Sequence, residues 1–154
     1  MKLIIGLGNP GADYINTRHN IGYLLVEELQ KNNPKKLVVK KSDSFMNDSG
    51  TFVKKIIDQY KLNLNDLYVA HDDLDIKLGE YKIQFGRGPK DHNGIIDIEE
   101  KLGTKDFWRI RIGVDNRPLD NKTLGIEYVL EKFSDQELSV VNRVIKEVCK
   151  KLAA

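Results

Sequence analysis

One α/β domain, a mixed and mostly parallel twisted sheet flanked by helices, is the fold class the sequence predicts. Three observations predict it. Short apolar runs rich in β-branched residues alternate along the chain with stretches whose apolar residues recur at helical spacing. Two of those runs stop abruptly in polar residues, as strands do at the ligand-facing end of an open sheet. The 154 residues suit a single core, and no repeat, low-complexity tract or linker divides them.

In order, Lys2 to Leu7 reads as a buried strand, stopped by glycines and Pro10. Ile21, Leu24, Leu25 and Leu29 share a helical face that ends near Asn32-Asn33-Pro34. Leu37 to Lys40 is a short strand. Phe52, Val53, Ile56, Ile57 and Tyr60 repeat as a helix, with Asn47 or Ser49 placed to cap it. Leu67 to Ala70 is a second buried strand, running into His71, Asp72, Asp73 and Asp75.

Tyr81, Ile83 and Phe85 alternate with Lys82 and Gln84, the pattern of a half-buried strand. Gly94 to Leu102 reads as a helix. Trp108, Ile110, Ile112 and Val114 alternate with Arg109, Arg111 and Gly113, which places both arginines on the polar strand face, plainly read as a solvated one. Ser134-Asp-Gln-Glu137 is a capping box. It opens a last helix whose inner stripe is Leu138, Val141, Ile145, Val148 and Leu152.

Composition excludes more than it specifies. Hydrophobic residues at 40% and charged residues at 31% describe an ordinary soluble domain, and a net charge of +2 neither demands nor forbids nucleic acid. Cys149, the one cysteine, allows no internal disulfide and reads as a small core residue. The first apolar run is too short for a signal peptide or a membrane span, so a cytoplasmic protein is expected.

If the first and third strands are parallel neighbours, Asn9 and Asp72 face one crevice. His19, Asn47 and Asn93 stand at three helix starts, where free N–H groups favour an oxyanion or a phosphate. Singly, each has a plain alternative: a surface histidine, a turn at Asn9, a helix cap at Asn47, a solvated loop at Asp72-Asp73-Asp75. Gly6-Leu-Gly8-Asn-Pro-Gly11 matches a dinucleotide fingerprint, but that fingerprint opens a helix at once, and here the helical stripe begins only at Ile21. No zinc spacing joins the three histidines; carboxylates at 72, 73 and 75 would suit only magnesium. No Gly-x-Ser-x-Gly elbow supports a serine hydrolase.

Taken in order, Gly6-Leu-Gly-Asn-Pro-Gly11, Tyr14, Thr17-Arg-His-Asn-Ile-Gly22, Phe45-Met-Asn47 with Ser49-Gly50, His71-Asp-Asp-Leu-Asp75, His92-Asn-Gly94 and Arg109-Ile-Arg-Ile-Gly113 closely resemble the bacterial peptidyl-tRNA hydrolase family. The resemblance spans nearly the whole chain. It implies a monomeric enzyme that hydrolyses the ester between a peptide and the ribose of tRNA, with no cofactor, no metal and no membrane. It implies His19 as general base and Asp72 as the carboxylate that orients it. Asn9, Asn47 and Asn93 would grip the peptide carbonyls and terminal ribose, Tyr14 and Met46 would line the cleft, and His92 would belong to its rim. Arg111 would meet the terminal phosphate of tRNA.

The chain departs from that pattern in several places. The stretch from Leu29 to Phe45 is short, as if a strand pair were missing, which is expected to shift Asn47. Residues Lys41-Ser-Asp-Ser44 lack the usual proline. The rim Gly86-Arg-Gly-Pro-Lys-Asp91 carries Pro89, which should stiffen it. Gln84 stands where the family has a phosphate-contacting lysine, so Lys82, Arg87 or Lys90 is expected to compensate. The C-terminal region is also short. A family relative that binds RNA or a protein with weak or no catalysis is the alternative, and a nicotinamide dehydrogenase is the reading from a different class.

Overall fold

The computed structural model describes residues 1–32, 35–121 and 123–154. Five strands form one sheet: β1 (Lys2–Gly6), β2 (Leu37–Lys41), β3 (Leu67–Lys77), β4 (Tyr81–Phe85) and β5 (Trp108–Asp115). Their spatial order is β2-β1-β3-β5-β4, with β4 alone antiparallel. β1 lies between β2 and β3, pairing Gly6 with Lys41 and with Ala70. The condition that brings Asn9 and Asp72 to one crevice is therefore met.

Alternate side chains divide the core between two faces. Ile4, Ala70, Ile110, Ile112 and Val114 pack under helices α1 (Ile21–Asn32) and α5 (Asp135–Ala153). Leu3, Ile5, Leu7, Leu67 and Val69 pack under α2 (Ser49–Tyr60) and α3 (Asn93–Leu102), together with Phe107. A four-residue helix α4 (Gly125–Tyr128) lies in a stretch for which sequence patterning predicts no element. The break expected after Asn32 falls on Asn33 and Pro34, which lie outside the described residues.

The capping box at Ser134 and Glu137 forms as expected. So does the inner stripe of α5, with Leu138 half-buried at its start. Neither Asn47 nor Ser49 caps α2. A 3-10 turn (Met46–Asp48) leads into the helix, the Ser49 hydroxyl donates back to the Met46 carbonyl, and Asp97 of α3 accepts the free Gly50 N–H at 2.7 Å. A carboxylate from the neighbouring helix meets the need that capping would have met.

Two expectations about polar residues are overturned. β3 does not end at Ala70 but continues through the acidic cluster to Lys77, and Asp72 and Asp73 are only 3% and 1% exposed. Arg109 and Arg111 do not lie on a solvated face: Arg109 is fully buried and Arg111 is half-buried. The reason is the same in both cases, because each buried charge has a partner. Arg111 Nε donates to Asp73 at 2.7 Å, and Arg109 donates to Glu99 of α3 and to the Gly88 carbonyl. Charges so paired can occupy a strand face that pattern alone assigns to water.

The close seating of α1 places the functional residues over the strand ends. A Cβ on Gly22 would lie 2.6 Å from the Ala70 carbonyl oxygen and from Leu7 N, and one on Gly6 would lie 2.2 Å from the Gly22 carbonyl. Glycine at both positions lets the helix start meet the sheet backbone. The glycine pattern thus serves helix packing. The segment after it forms only a 3-10 turn (Ala12–Tyr14), not the immediate helix a dinucleotide site needs.

Candidate active site

The site is built around one carboxylate. Asp72 Oδ2 lies 2.8 Å from His19 Nδ1, and its Oδ1 lies 2.8 Å from His92 Nε2. His19 sits in a 3-10 turn (Arg18–Asn20) just ahead of α1, and His92 is the N-cap of α3. Asp72 therefore ties together three segments that are far apart in sequence.

These partners settle where the protons sit. His92 Nδ1 accepts the Ile95 N–H, so its Nε2 carries the proton given to Asp72. A carboxylate that accepts from His92 on one oxygen accepts from His19 on the other, so His19 bears its proton on Nδ1. Its Nε2 is left as a bare lone pair on a partly exposed ring. Burial would raise the Asp72 pKa, but the charges and N–H bonds of His19 and His92 outweigh this and hold it far below the usual carboxylate range. For His19, burial lowers the pKa while the charge and hydrogen bond of Asp72 raise it; the net shift is upward from 6.5.

The amide donors are oriented by the same logic. Asn9 Oδ1 accepts the Met46 N–H at 2.7 Å, which turns the two N–H donors of its amide away from that contact. The Asn9 backbone is held on both sides by Asn20, whose Oδ1 accepts the Asn9 N–H at 2.8 Å and whose Nδ2 donates to the Asn9 carbonyl at 2.9 Å. Met46 in turn lies against α3, its sulfur 2.6 Å from where a Gly94 Cβ would stand. Tyr14 meets Phe45 edge to face with ring centres 6.1 Å apart. Contacts thus run from Tyr14 through Phe45, Met46 and Gly94 to His92, Asp72 and His19. Asn47 and Asn93 are exposed beside Met46 and His92. The bond to Asn9 holds the Met46–Asn47 turn despite the short connection before it.

The family model for peptidyl-tRNA hydrolase matches residues 3–154. This chain belongs to the peptidyl-tRNA hydrolase family. It is similar to the peptidyl-tRNA hydrolase of Bacillus cereus strain Q1, with 36% identity over 96% of this chain and 88% of that one. Its identity to the Mycoplasma mycoides subsp. mycoides peptidyl-tRNA hydrolase is 39%, over 93% and 86% of the two chains. The crystal structure of peptidyl-tRNA hydrolase from Acinetobacter baumannii superposes with a TM-score of 0.84 at 31% identity, covering 98% of this chain and 86% of that one.

In this member of the family, Arg111 is engaged from two sides: Nε donates to Asp73 and Nη1 donates to Gln84 Oε1, each at 2.7 Å. The rim over it is tied down, because Arg109 Nε donates to the Gly88 carbonyl at 2.9 Å. The sequence pattern gives no role to Asn20, and offers His71 and Asp73 only as metal ligands. Asn20 lies within a quoted motif, but nothing in its spacing marks its pairing with Asn9.

His71 is fully buried, with Nδ1 donating to the Asp72 carbonyl at 2.8 Å and Nε2 unpartnered. Burial above all, then the neighbouring His92 and Arg111, push its pKa down to about 3, against the pull of Asp72. A histidine whose folded pKa lies below its unfolded value leaves the unfolded chain binding more protons between about pH 3 and pH 6.5. Its contribution to stability is thus present at neutral pH and lost on acidification. Replacing His71→Asn is expected to relieve about 2 kcal/mol of the stability lost between pH 7 and 4.5. Urea midpoints at the two pH values check this; equal losses in both proteins contradict it.

Proposed function

We propose that the chain hydrolyses the ester of peptidyl-tRNA, releasing free tRNA and peptide, with His19 activating the water. The observation that carries this is the His19–Asp72 contact, which leaves Nε2 as the one nitrogen of that ring able to accept a proton. Water gives a proton to Nε2 as its oxygen bonds to the ester carbonyl carbon. The carbon–ribose oxygen bond then breaks, and the proton held on His19 passes to the departing ribose oxygen. Asp72 remains ionised and stabilises the transient imidazolium. The Asn9 amide is oriented to donate to the developing oxyanion. Asn47 and Asn93 grip the remaining carbonyls and the terminal ribose, Tyr14 and Met46 line the cleft, and His92, buried and not part of a mobile rim, holds the second oxygen of Asp72.

His19, Asp72 and His92 could also hold a metal ion, since their ligand atoms lie within 4.8 Å of one another. A cation there would have to displace the N–H protons that both rings give to the carboxylate. We therefore read the reaction as metal-independent, carried out by a cytoplasmic monomer with no cofactor. No helix among the described residues is long and apolar enough to cross a membrane.

The test is release of tRNA from N-acetyl-aminoacyl-tRNA in the presence of EDTA. Rapid release supports the reading. Tight binding without release makes the chain a binding module, and loss of activity in EDTA moves the chemistry to a metal.

Arg111 serves as a contact for the terminal phosphate of tRNA, supported by a second cation. Lys82 is opposite Arg111 in the antiparallel β4–β5 pair, hence on the same face, and it is exposed. Gln84 already accepts a hydrogen bond from Arg111. Lys82 therefore takes the role of the absent lysine. Replacing Lys82→Gln is expected to weaken tRNA binding and to reduce the slope of log affinity against log salt by about 1. A wild-type slope would move the role to Arg87 or Lys90.

A further inference from the structure

The residue before His19 reaches well beyond its own turn, to residues more than 100 positions away in the chain. Arg18 is 7% exposed. Its Nη1 donates to the Tyr128 carbonyl and to Glu131, each at 3.1 Å, and its Nη2 donates to Glu137 at 3.0 Å. The guanidinium carbon stands 3.8 Å from the centre of the Tyr128 ring. Glu137 is itself shared, accepting the Ser134 N–H at the start of α5 and the Asn116 amide beyond β5. The Tyr128 hydroxyl accepts the Asn116 N–H at 3.0 Å. One cation thus joins the turn before α1 to the end of β5, to α4 and to the start of α5.

Around this hub, residues 16–19 are laced to residues 129–133. Phe133 N donates to the Asn16 carbonyl at 2.9 Å, Arg18 N to the Glu131 carbonyl at 3.1 Å, and His19 N to the Val129 carbonyl at 2.8 Å. Thr17 and Lys132 form an antiparallel bridge. The last of these bonds fixes the backbone of His19 itself. Its imidazole reaches Asp72 from a 3-10 turn of only three residues, too short to hold its own orientation.

We infer that Arg18 is a positioning residue for the hydrolysis: by clamping the 128–137 segment onto the turn, it aims the His19 ring at Asp72. The inference rests on His19 being the base. A shift of the ring of about 1 Å is enough to cost on the order of 100-fold in rate when a reacting group depends on its placement.

A single Arg18→Met replacement strands the buried Glu137 carboxylate and can unfold the chain for that reason alone. The deciding variant is therefore Arg18→Met combined with Glu137→Gln. It leaves no buried charge unpaired, since the remaining partner Glu131 is exposed to water, and glutamine keeps the capping box. Circular dichroism and thermal melting establish that it folds. Its hydrolysis of N-acetyl-aminoacyl-tRNA is then measured across pH, with Arg18→Lys alongside.

The expected result is a kcat lowered about 10- to 100-fold with KM within a few-fold of wild type, and an acid limb displaced to lower pH because His19 has lost part of its contact with Asp72. Arg18→Lys, which keeps the charge but not the planar fork, is expected to fall between the two. A lowered melting temperature with kcat or the acid limb at the wild-type value overturns the inference and leaves Arg18 a purely structural residue. Wild-type protein that releases no tRNA counts against the hydrolase reading instead, and His19→Ala that releases it normally removes His19 as the base and overturns this inference with it.

Discussion

Replacing His19→Ala is expected to slow release of tRNA from N-acetyl-aminoacyl-tRNA by about 100- to 10,000-fold, the usual contribution of a placed general base. KM should stay within a few-fold of wild type, because the ring acts on water in the transition state and adds little to substrate binding. The expectation follows from the proton inventory at Asp72. Nδ1–H of His19 is committed to the carboxylate, so the lone pair on Nε2 is the one basic site left on the ring. What remains after the replacement is the share expected from the oxyanion donor proposed at Asn9. The wild-type profile should show an acid limb above the ordinary histidine value of 6.5, since Asp72 raises the pKa of His19 and only the neutral ring accepts a proton. Single-turnover rates across pH check both points. A variant that keeps more than about a tenth of the wild-type rate would remove His19 from the mechanism.

Asp72→Asn is expected to cost about 100- to 10,000-fold as well, for a different reason. The carboxylate accepts one N–H on each oxygen, from His19 and from His92. A carboxamide has one acceptor oxygen and one N–H donor group, so one of the two rings must take the other tautomer or lose its bond. His92 is held to its tautomer by the Ile95 N–H, which leaves His19 to change. A His19 that accepts through Nδ1 carries its proton on Nε2, where the base should be. With the raising influence of Asp72 gone, burial alone acts on His19 and lowers its pKa, so the acid limb should move to lower pH as the rate falls. A slow variant with an unmoved limb would mean that Asp72 supports the site without tuning its base.

Much of the architecture was legible because it depends on apolar periodicity. The alternation from Trp108 to Val114, the buried run at the start of the chain and the Ser134 capping box each specify their element locally. The convergence of Asn9 and Asp72 required only that β1 and β3 be parallel neighbours. What was not legible depends on partners distant in the chain. Asp72 and Asp73 in sequence look like the start of a loop, but pairing with β5 carries the strand through them, and His19, His92 and Arg111 meet their charges. Arg109 and Arg111 alternate with apolar residues just as a solvated strand face does. Their burial depends on Glu99, Asp73 and the 86–91 rim, none of which shows in the local pattern. Arg18 and Asn20 flank the base, yet their contacts lie with residues 128–137 and with Asn9. The roles of Asn47 and Asn93 still rest on family resemblance, since both are exposed side chains beside the contacts that place Met46 and His92.

The catalytic claim comes down to which nitrogen of residue 19 holds a hydrogen once the ring is uncharged. Nitrogen-15 NMR of the imidazoles, followed through a pH titration and assigned with His71→Asn and His92→Gln variants, reads this directly. The account predicts a neutral His19 protonated at Nδ1 and bare at Nε2, with a midpoint above 6.5. A neutral His19 carrying its proton on Nε2 would contradict it.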